Sequence, residues 1–440
     1  MLSQLVPTIA LLAMVALQAT PAFAQDTAGL SATTSITSFL QQAEPGVPEE
    51  GRPPTAARVG EPAKPPLKVF ILAGQSNMQG HASISTFDSM ADDPKTAALL
   101  KEMRGPDGKP RVCANVWISS IGCLGDAYAD MTEAKGRLTA GFGAPDDKIG
   151  PEFTFGLTME KALKEPILII KTAWGGRSLH TDFRPPSGGA FAWREAELAK
   201  KKKNGEDIEK LKAEKIAATG LIYRAMIDHV RMVLKDIKRV VPDYDDKQGY
   251  ELAGFVWFQG FNDYVDGGVY PEQDKADGYE LYATQLGNLI RDVRKDLAAP
   301  KMPFVVGVMG IDGLRGDKDK PMKNFRAAQR QPATQKEFRG NVFTVETAVF
   351  WDDELEKLTE RRENCWPKVD AKVAEQKATN PDADSWENKM KLMAENFTPA
   401  EWKRLAGMSN GGYHYLGAAK ILAPIGKAFA EAVLAARAAK

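Results

Sequence analysis

Four short stretches of this 440-residue chain each set a glycine-bearing turn beside a side chain suited to acyl chemistry. The first is Lys68 to Gly80, KVFILAGQSNMQG, in which an apolar run from Lys68 to Ala73 stops at Gly74 and is followed by Ser76. A short β-branched and aromatic run of this kind reads as a buried strand. Open α/β sheets place their chemistry just beyond the carboxyl ends of such strands. Ser76 is therefore a candidate nucleophile, although a serine after a strand is also a common turn or cap residue. A serine hydroxyl attacks a carbonyl only when a base takes its proton and donors hold the oxyanion that forms.

The other three stretches supply those parts. Thr172-Ala173-Trp174-Gly175-Gly176-Arg177-Ser178 follows an apolar run from Pro166 to Ile170, and its adjacent glycines let backbone N–H groups approach a ligand closely. Gln259-Gly260-Phe261-Asn262-Asp263 follows Leu252 to Phe258, and the Asn262 amide is a donor suited to a developing oxyanion. Asn410-Gly411-Gly412-Tyr413-His414 opens an alanine-rich terminal helix, so His414 can return to the end of the first strand. Singly, these are a turn, a turn asparagine and a loop histidine. Together they describe a serine mechanism: His414 deprotonates Ser76, and the Ser76 amide, a Gly175 or Gly176 amide and the Asn262 side chain bind the oxyanion. Arg184, in the extended loop Asp182-Phe183-Arg184-Pro185-Pro186, either reaches a polar substrate or faces water. Trp174, Trp257 and Trp351 lie near strand ends, where they stack on sugars or, more commonly, fill the core.

These residues need a sheet to bring them together. Strands are predicted at Lys68–Ala73, Arg111–Ser119, Pro166–Ile170, Leu252–Phe258, Met302–Met309 and Asn341–Val345. Helices are predicted from Pro151 to Lys164, over Leu221–Ile237 and Asp277–Leu297, and at Ala418–Ala439. Gly150-Pro151-Glu152 suits a helix start, with proline in the first turn and an acid beside the positive end of the dipole. Strand–helix alternation of this kind implies one parallel sheet whose strand ends share an edge. Gly122 to Gly150 reads as irregular surface chain. Trp193–Lys215 and 351–408, dense in Ala, Glu and Lys, read as solvated helical insertions. His229 falls on the apolar face of its helix, where a structural role is expected.

Composition narrows the function. Lys plus Arg equals Asp plus Glu at 58 each, which favours neither nucleic acid nor an anionic membrane surface. Four histidines without a close pair and three cysteines without Cys-x-x-Cys spacing make a poor metal set, so no metal and no cofactor are expected. Leu5 to Leu17 is mostly apolar and Ala22-Phe23-Ala24 resembles a signal-peptidase site, so 1–24 reads as a signal peptide and the protein as periplasmic or secreted. Residues 25–66 carry seven prolines among small and charged residues, a disordered leader in character. One domain is then expected over 67–440. In an oxidising compartment Cys113 and Cys123 are close enough in sequence to close a small loop, leaving Cys365 over.

Gly74-Gln75-Ser76-Asn77-Met78, Trp174-Gly175-Gly176, Gly260-Phe261-Asn262-Asp263 and His414 together resemble the four ordered blocks of the SGNH hydrolase superfamily. GQSNM, Gly150-Pro151-Glu152 and Trp257-Phe258-Gln259-Gly260 are similar to the sialate O-acetylesterase-like carbohydrate esterases within it. The resemblance covers about Leu67 to Ala436. It implies a three-layer α/β/α sandwich around a central parallel sheet, metal-independent removal of acetyl groups from sugar hydroxyls, and an acetylated oligo- or polysaccharide as partner. Gln75, Glu152 and Gln259 fall within these blocks as supporting or substrate-binding positions. Members with a full triad carry an acid three residues before the histidine, and here that position is Gly411. Asn410 beside it lacks the charge of a carboxylate. Three outcomes follow: a Ser–His dyad supported by a backbone carbonyl, an acid recruited from elsewhere such as Glu152 or Asp353, or a weakened enzyme. The same site also fits a general carboxylic-ester hydrolase of lipid or small esters, and the missing acid fits a glycan-binding protein of little activity.

Overall fold

The computed structural model describes residues 64–123, 130–145 and 147–438. The expected signal peptide and the leader up to residue 63 lie outside the described residues. Among the described residues there are nine strands: β1 (Leu67–Gly74), β2 (Ala82–Ser83), β3 (Val116–Ile121), β4 (Ala134–Arg137), β5 (Lys148–Ile149), β6 (Ile167–Ala173), β7 (Tyr250–Phe258), β8 (Phe304–Val308) and β9 (Val342–Glu346). Seven form one sheet in the order β4-β3-β6-β1-β7-β8-β9, and β2 pairs with β5 as a small separate ribbon. Every pairing in the large sheet is parallel except β3 with β4. β1 lies at the centre, so its apolar run is buried on both faces, as parallel strands under two helical layers must be.

The helices are α1 (Ser76–Gln79), α2 (Pro94–Met103), α3 (Pro151–Leu163), α4 (Glu195–Lys203), α5 (Ile208–Ala218), α6 (Leu221–Lys235), α7 (Phe261–Tyr264), α8 (Glu280–Asp296), α9 (Lys320–Thr334), α10 (Asp353–Gln376), α11 (Trp386–Ala394), α12 (Pro399–Leu405) and α13 (Ala419–Ala438). On one side α3 packs on α13, with α2 beside them. On the other, Tyr223 of α6 donates to Asp296 of α8 at 2.7 Å, and α8 packs on α9. The result is a three-layer α/β/α sandwich with a mostly parallel sheet. Among the described residues no helix is long and apolar enough to cross a membrane.

Several expectations change. Within Gly122–Gly150 lies β4, a four-residue edge strand of sequence Ala-Lys-Gly-Arg, whose small and charged residues carry no apolar alternation. The helix α9 fills a stretch to which the sequence pattern assigned no element. Cys113 and Cys123 form no disulfide. They flank β3, whose six residues extend about 20 Å, so their thiols sit at opposite ends of a strand. The second insertion is more than a solvated run: Cys365, Val369 and Val373 of α10 pack with Leu392 and Met393 of α11 into a small core of their own.

Candidate active site

The carboxyl ends of β1, β6 and β7 lie side by side and open into one cleft of about 400 Å³. Ser76, Gly175, Gly176, Asn262 and His414 all line it. Gly74 ends β1 where an added Cβ would sit 2.1 Å from the Phe258 carbonyl oxygen, so only glycine lets β1 turn against β7 here. The chain then enters the single turn of α1, with Met78 and Gln79 N–H groups donating to the Gln75 carbonyl at 2.8 and 2.9 Å. Ser76 is thereby fixed at the amino end of that turn, 7 % exposed.

Gln75 ties two strand ends together. Its Oε1 accepts from Gly260 N at 3.0 Å and Asn262 N at 3.4 Å, and its Nε2 donates to Asn262 Oδ1 at 2.8 Å. With Oδ1 occupied, the amide end of Asn262 left for the cleft is the Nδ2 donor. Asp263, wholly buried, accepts from Leu179 N at 2.7 Å, His180 N at 3.1 Å, Tyr270 Oη at 2.9 Å and Gln259 Nε2 at 2.6 Å. Gln259 Nε2 also donates to the Arg177 carbonyl at 3.0 Å. Asp263 and Gln259 thus clamp the Gly175–Gly176 loop to the Asn262 loop. Gly176 has φ of 70°, a conformation that a side chain would strain.

His414 sits in a loop held at several points. Tyr415 and Leu416 take φ of 54° and 59°, left-handed values that bulky residues rarely adopt. Tyr415 Oη accepts from Gly310 N at 2.8 Å and bonds Thr347 Oγ1 at 2.8 Å. Ser409 Oγ bonds the carbonyls of Gly417 at 2.7 Å and His81 at 3.0 Å, stitching the loop to the segment after α1. His414 Nδ1 meets Asn410 Oδ1 at 3.0 Å, the same oxygen that accepts from Gly411 N at 2.8 Å. That backbone donor fixes the amide orientation, so the His414 proton lies on Nδ1 and Nε2 is the basic nitrogen. Burial, and then the charge of Lys148, depress the His414 pKa to about 4. No hydrogen bond joins the Ser76 and His414 side chains among the described contacts; such bonds commonly tighten only with substrate in place.

Three sequence candidates belong elsewhere. Glu152 is fully buried beneath α1, where it binds Lys171 Nζ at 2.8 Å and Gly150 N at 2.9 Å. Burial pushes its carboxyl up against the pull of Lys171. Lys171 Nζ also donates to the carbonyls of Gln79 and Phe142, each at 2.7 Å, so the pair supports the α1 turn and is not an acid for His414. Asp353 is an exposed residue at the start of α10 and does not line the cleft. Arg184 is buried, and its guanidinium donates to the carbonyls of His180, Gly188, Gly189 and Ala190, which consumes it in shaping its own loop. Trp257 and Trp351 are core residues, whereas Trp174 borders the cleft. His229, buried on α6, pairs its Nε2 with Ser119 Oγ at 2.9 Å. Sequence alone assigns no contact to Asn410 and no role to His81, although the four-residue step from Asn410 to His414 is a signal for the first. Among the described residues no three His, Cys, Asp or Glu side chains gather to hold a metal ion.

A mostly parallel α/β sheet with a polar cleft at its strand ends is a broad architecture that hosts many activities. Within it, the chain belongs to the carbohydrate esterase, sialic acid-specific acetylesterase family, whose sequence model matches residues 66–356. That membership supports carbohydrate esterase activity. A search of curated proteins finds no match. Among solved structures, a protein from Arabidopsis thaliana is similar at 17% identity, over 64% of this chain and 86% of its own, with a TM-score of 0.34. A carbohydrate acetylesterase from Xanthomonas citri shares 13% identity over 63% of this chain and 49% of its own, with a TM-score of 0.35. NanS shares 12% over 64% and 79%, with a TM-score of 0.34.

Proposed function

We propose that the protein is an exported, serine-dependent carbohydrate O-acetylesterase, with a signal peptide at 1–24, a leader at 25–66 and one catalytic domain over 67–440. The observation that carries this reading is the convergence of Ser76, His414, Asn262 and the Gly175–Gly176 turn on one cleft in a carbohydrate esterase family member. His414 Nε2 takes the Ser76 proton as Oγ attacks the acetyl carbonyl. The oxyanion is received by the Ser76 amide, a glycine amide of the Gly175–Gly176 turn and Asn262 Nδ2. Collapse breaks the ester bond, and the sugar hydroxyl leaves with the proton from His414. Water, deprotonated by His414, then attacks the acetyl-serine and releases acetate.

Asn410 takes the place next to the histidine that a carboxylate fills in a full triad, holding the tautomer by a neutral oxygen, as asparagine does in Cys-His-Asn sites. The test is acetate release from acetylated xylan, acetylated pectin and O-acetylated sialic acids, by wild type and by Ser76→Ala. Release from at least one saccharide that disappears in the variant supports the reading. Equal release by both proteins refutes it. If activity is confined to aryl or lipid esters, the carbohydrate assignment is wrong.

A further inference from the structure

The proposed base lies face to face with a second histidine. The rings of His81 and His414 have centroids 3.7 Å apart and planes within 3° of parallel. Asn410 spans their edges: its Oδ1 accepts from His414 Nδ1–H, and its Nδ2 lies 3.4 Å from His81 Nδ1. Since Gly411 N–H fixes which end of the amide is oxygen, His81 must accept at Nδ1 and carry its own proton on Nε2. That Nε2 has no polar partner among the described residues. His81 is half-buried and lines the same cleft as Ser76 and His414.

The surroundings keep His81 uncharged. Burial first, then the charges of His414, Lys148 and Lys171, hold its pKa at about 3. Lys171 is itself paired with Glu152. When His414 becomes a cation during attack, the ring beside it is therefore a neutral π face. A cation 3.7 Å from an uncharged aromatic face is attracted to it, and more strongly out of water. The stack also fixes the plane of His414, which aims Nε2 along one direction.

We propose that His81 is a positioning residue: its neutral ring is the platform on which the His414 imidazolium forms, in compensation for the carboxylate absent at Gly411. This rests on the reading of Ser76 and His414 as nucleophile and base.

The test compares full-length wild type, His81→Ala, His81→Phe, His81→Gln and Ser76→Ala on p-nitrophenyl acetate, with thermal melting as the check on folding. The platform predicts that His81→Ala lowers kcat about tenfold with KM little changed, and that His81→Phe, which keeps a flat ring, recovers most of it. Wild-type kcat in a folded His81→Ala overturns the proposal. If His81→Ala does not fold, the other pair decides: Phe active and Gln impaired supports the platform, whereas Gln active and Phe impaired overturns it. Full activity in Ser76→Ala would instead overturn the underlying reading, so the two failures are distinct.

Discussion

At the residue scale, the depressed pKa of His414 makes the pH profile informative. As the proposed base, His414 works when neutral, so activity should persist well below the ordinary histidine pKa of about 6.5 and fall only as pH drops through about 4. The acid limb of kcat/KM measures this directly. Asn410→Asp would place a charge against Nδ1 and stabilise the protonated ring, moving that limb upward by about 1–3 units. An unmoved limb would mean that Asn410 does not face the working histidine. Asn262→Ala removes a proposed oxyanion donor and should lower kcat by about 10²–10³; it also takes the Oδ1 acceptor away from the buried Gln75 Nε2, so denaturant unfolding should show a loss of about 1–3 kcal/mol.

Three of the stretches proposed to carry this chemistry are recognisable because glycine lies at or just after a strand end there, and the fourth because glycines and a histidine open the terminal helix. The partners of those side chains are not. Arg184 looked available for substrate, yet its neighbours in sequence, from His180 to Ala190, turn their carbonyls onto it. Glu152 carried a motif signal, but only β6 packing beneath α1 shows that Lys171 has taken it. No local pattern announces that Asn410 and His81 meet, since 329 positions separate them.

At the scale of elements, the loop before α13 does for His414 what Gly74 does for Ser76. Left-handed Tyr415 and Leu416 persist only because the loop is tied down, and the Tyr415 hydroxyl is a main tie. Tyr415→Phe leaves the buried Gly310 N–H without its acceptor, a cost of about 1–3 kcal/mol. Denaturant unfolding should show a loss of that size, and kcat should fall as His414 loses its aim; unchanged stability would contradict this role. The strands with long apolar runs, β1, β6, β7 and β8, were legible because burial on both faces demands such residues. The edge strand β4 was not, because pairing on one side asks so little of Ala134–Arg137. The cysteines flanking β3 show the same limit: a separation short in sequence becomes long once the chain between is extended.

For the whole molecule, buried neutral histidines couple the fold to acid. Burial is the largest cause holding His81 at about 3, and His229 and His414 at about 4. In the unfolded chain these groups bind protons near pH 6.5, so below that value the unfolded state takes up more protons than the native one. Stability is therefore full above about pH 6.5 and declines as pH falls toward 4. The urea midpoint should be lower at pH 5 than at pH 7.5, and equal midpoints would show that these rings are solvated.

The central claim is that Ser76 is the acylated residue, and the most direct measurement is covalent labelling. A fluorophosphonate probe added to the full-length protein should modify one serine, and peptide mapping by mass spectrometry should place it on Ser76, with no label on Ser76→Ala. A label on any other serine, or one that persists in Ser76→Ala, would contradict the account.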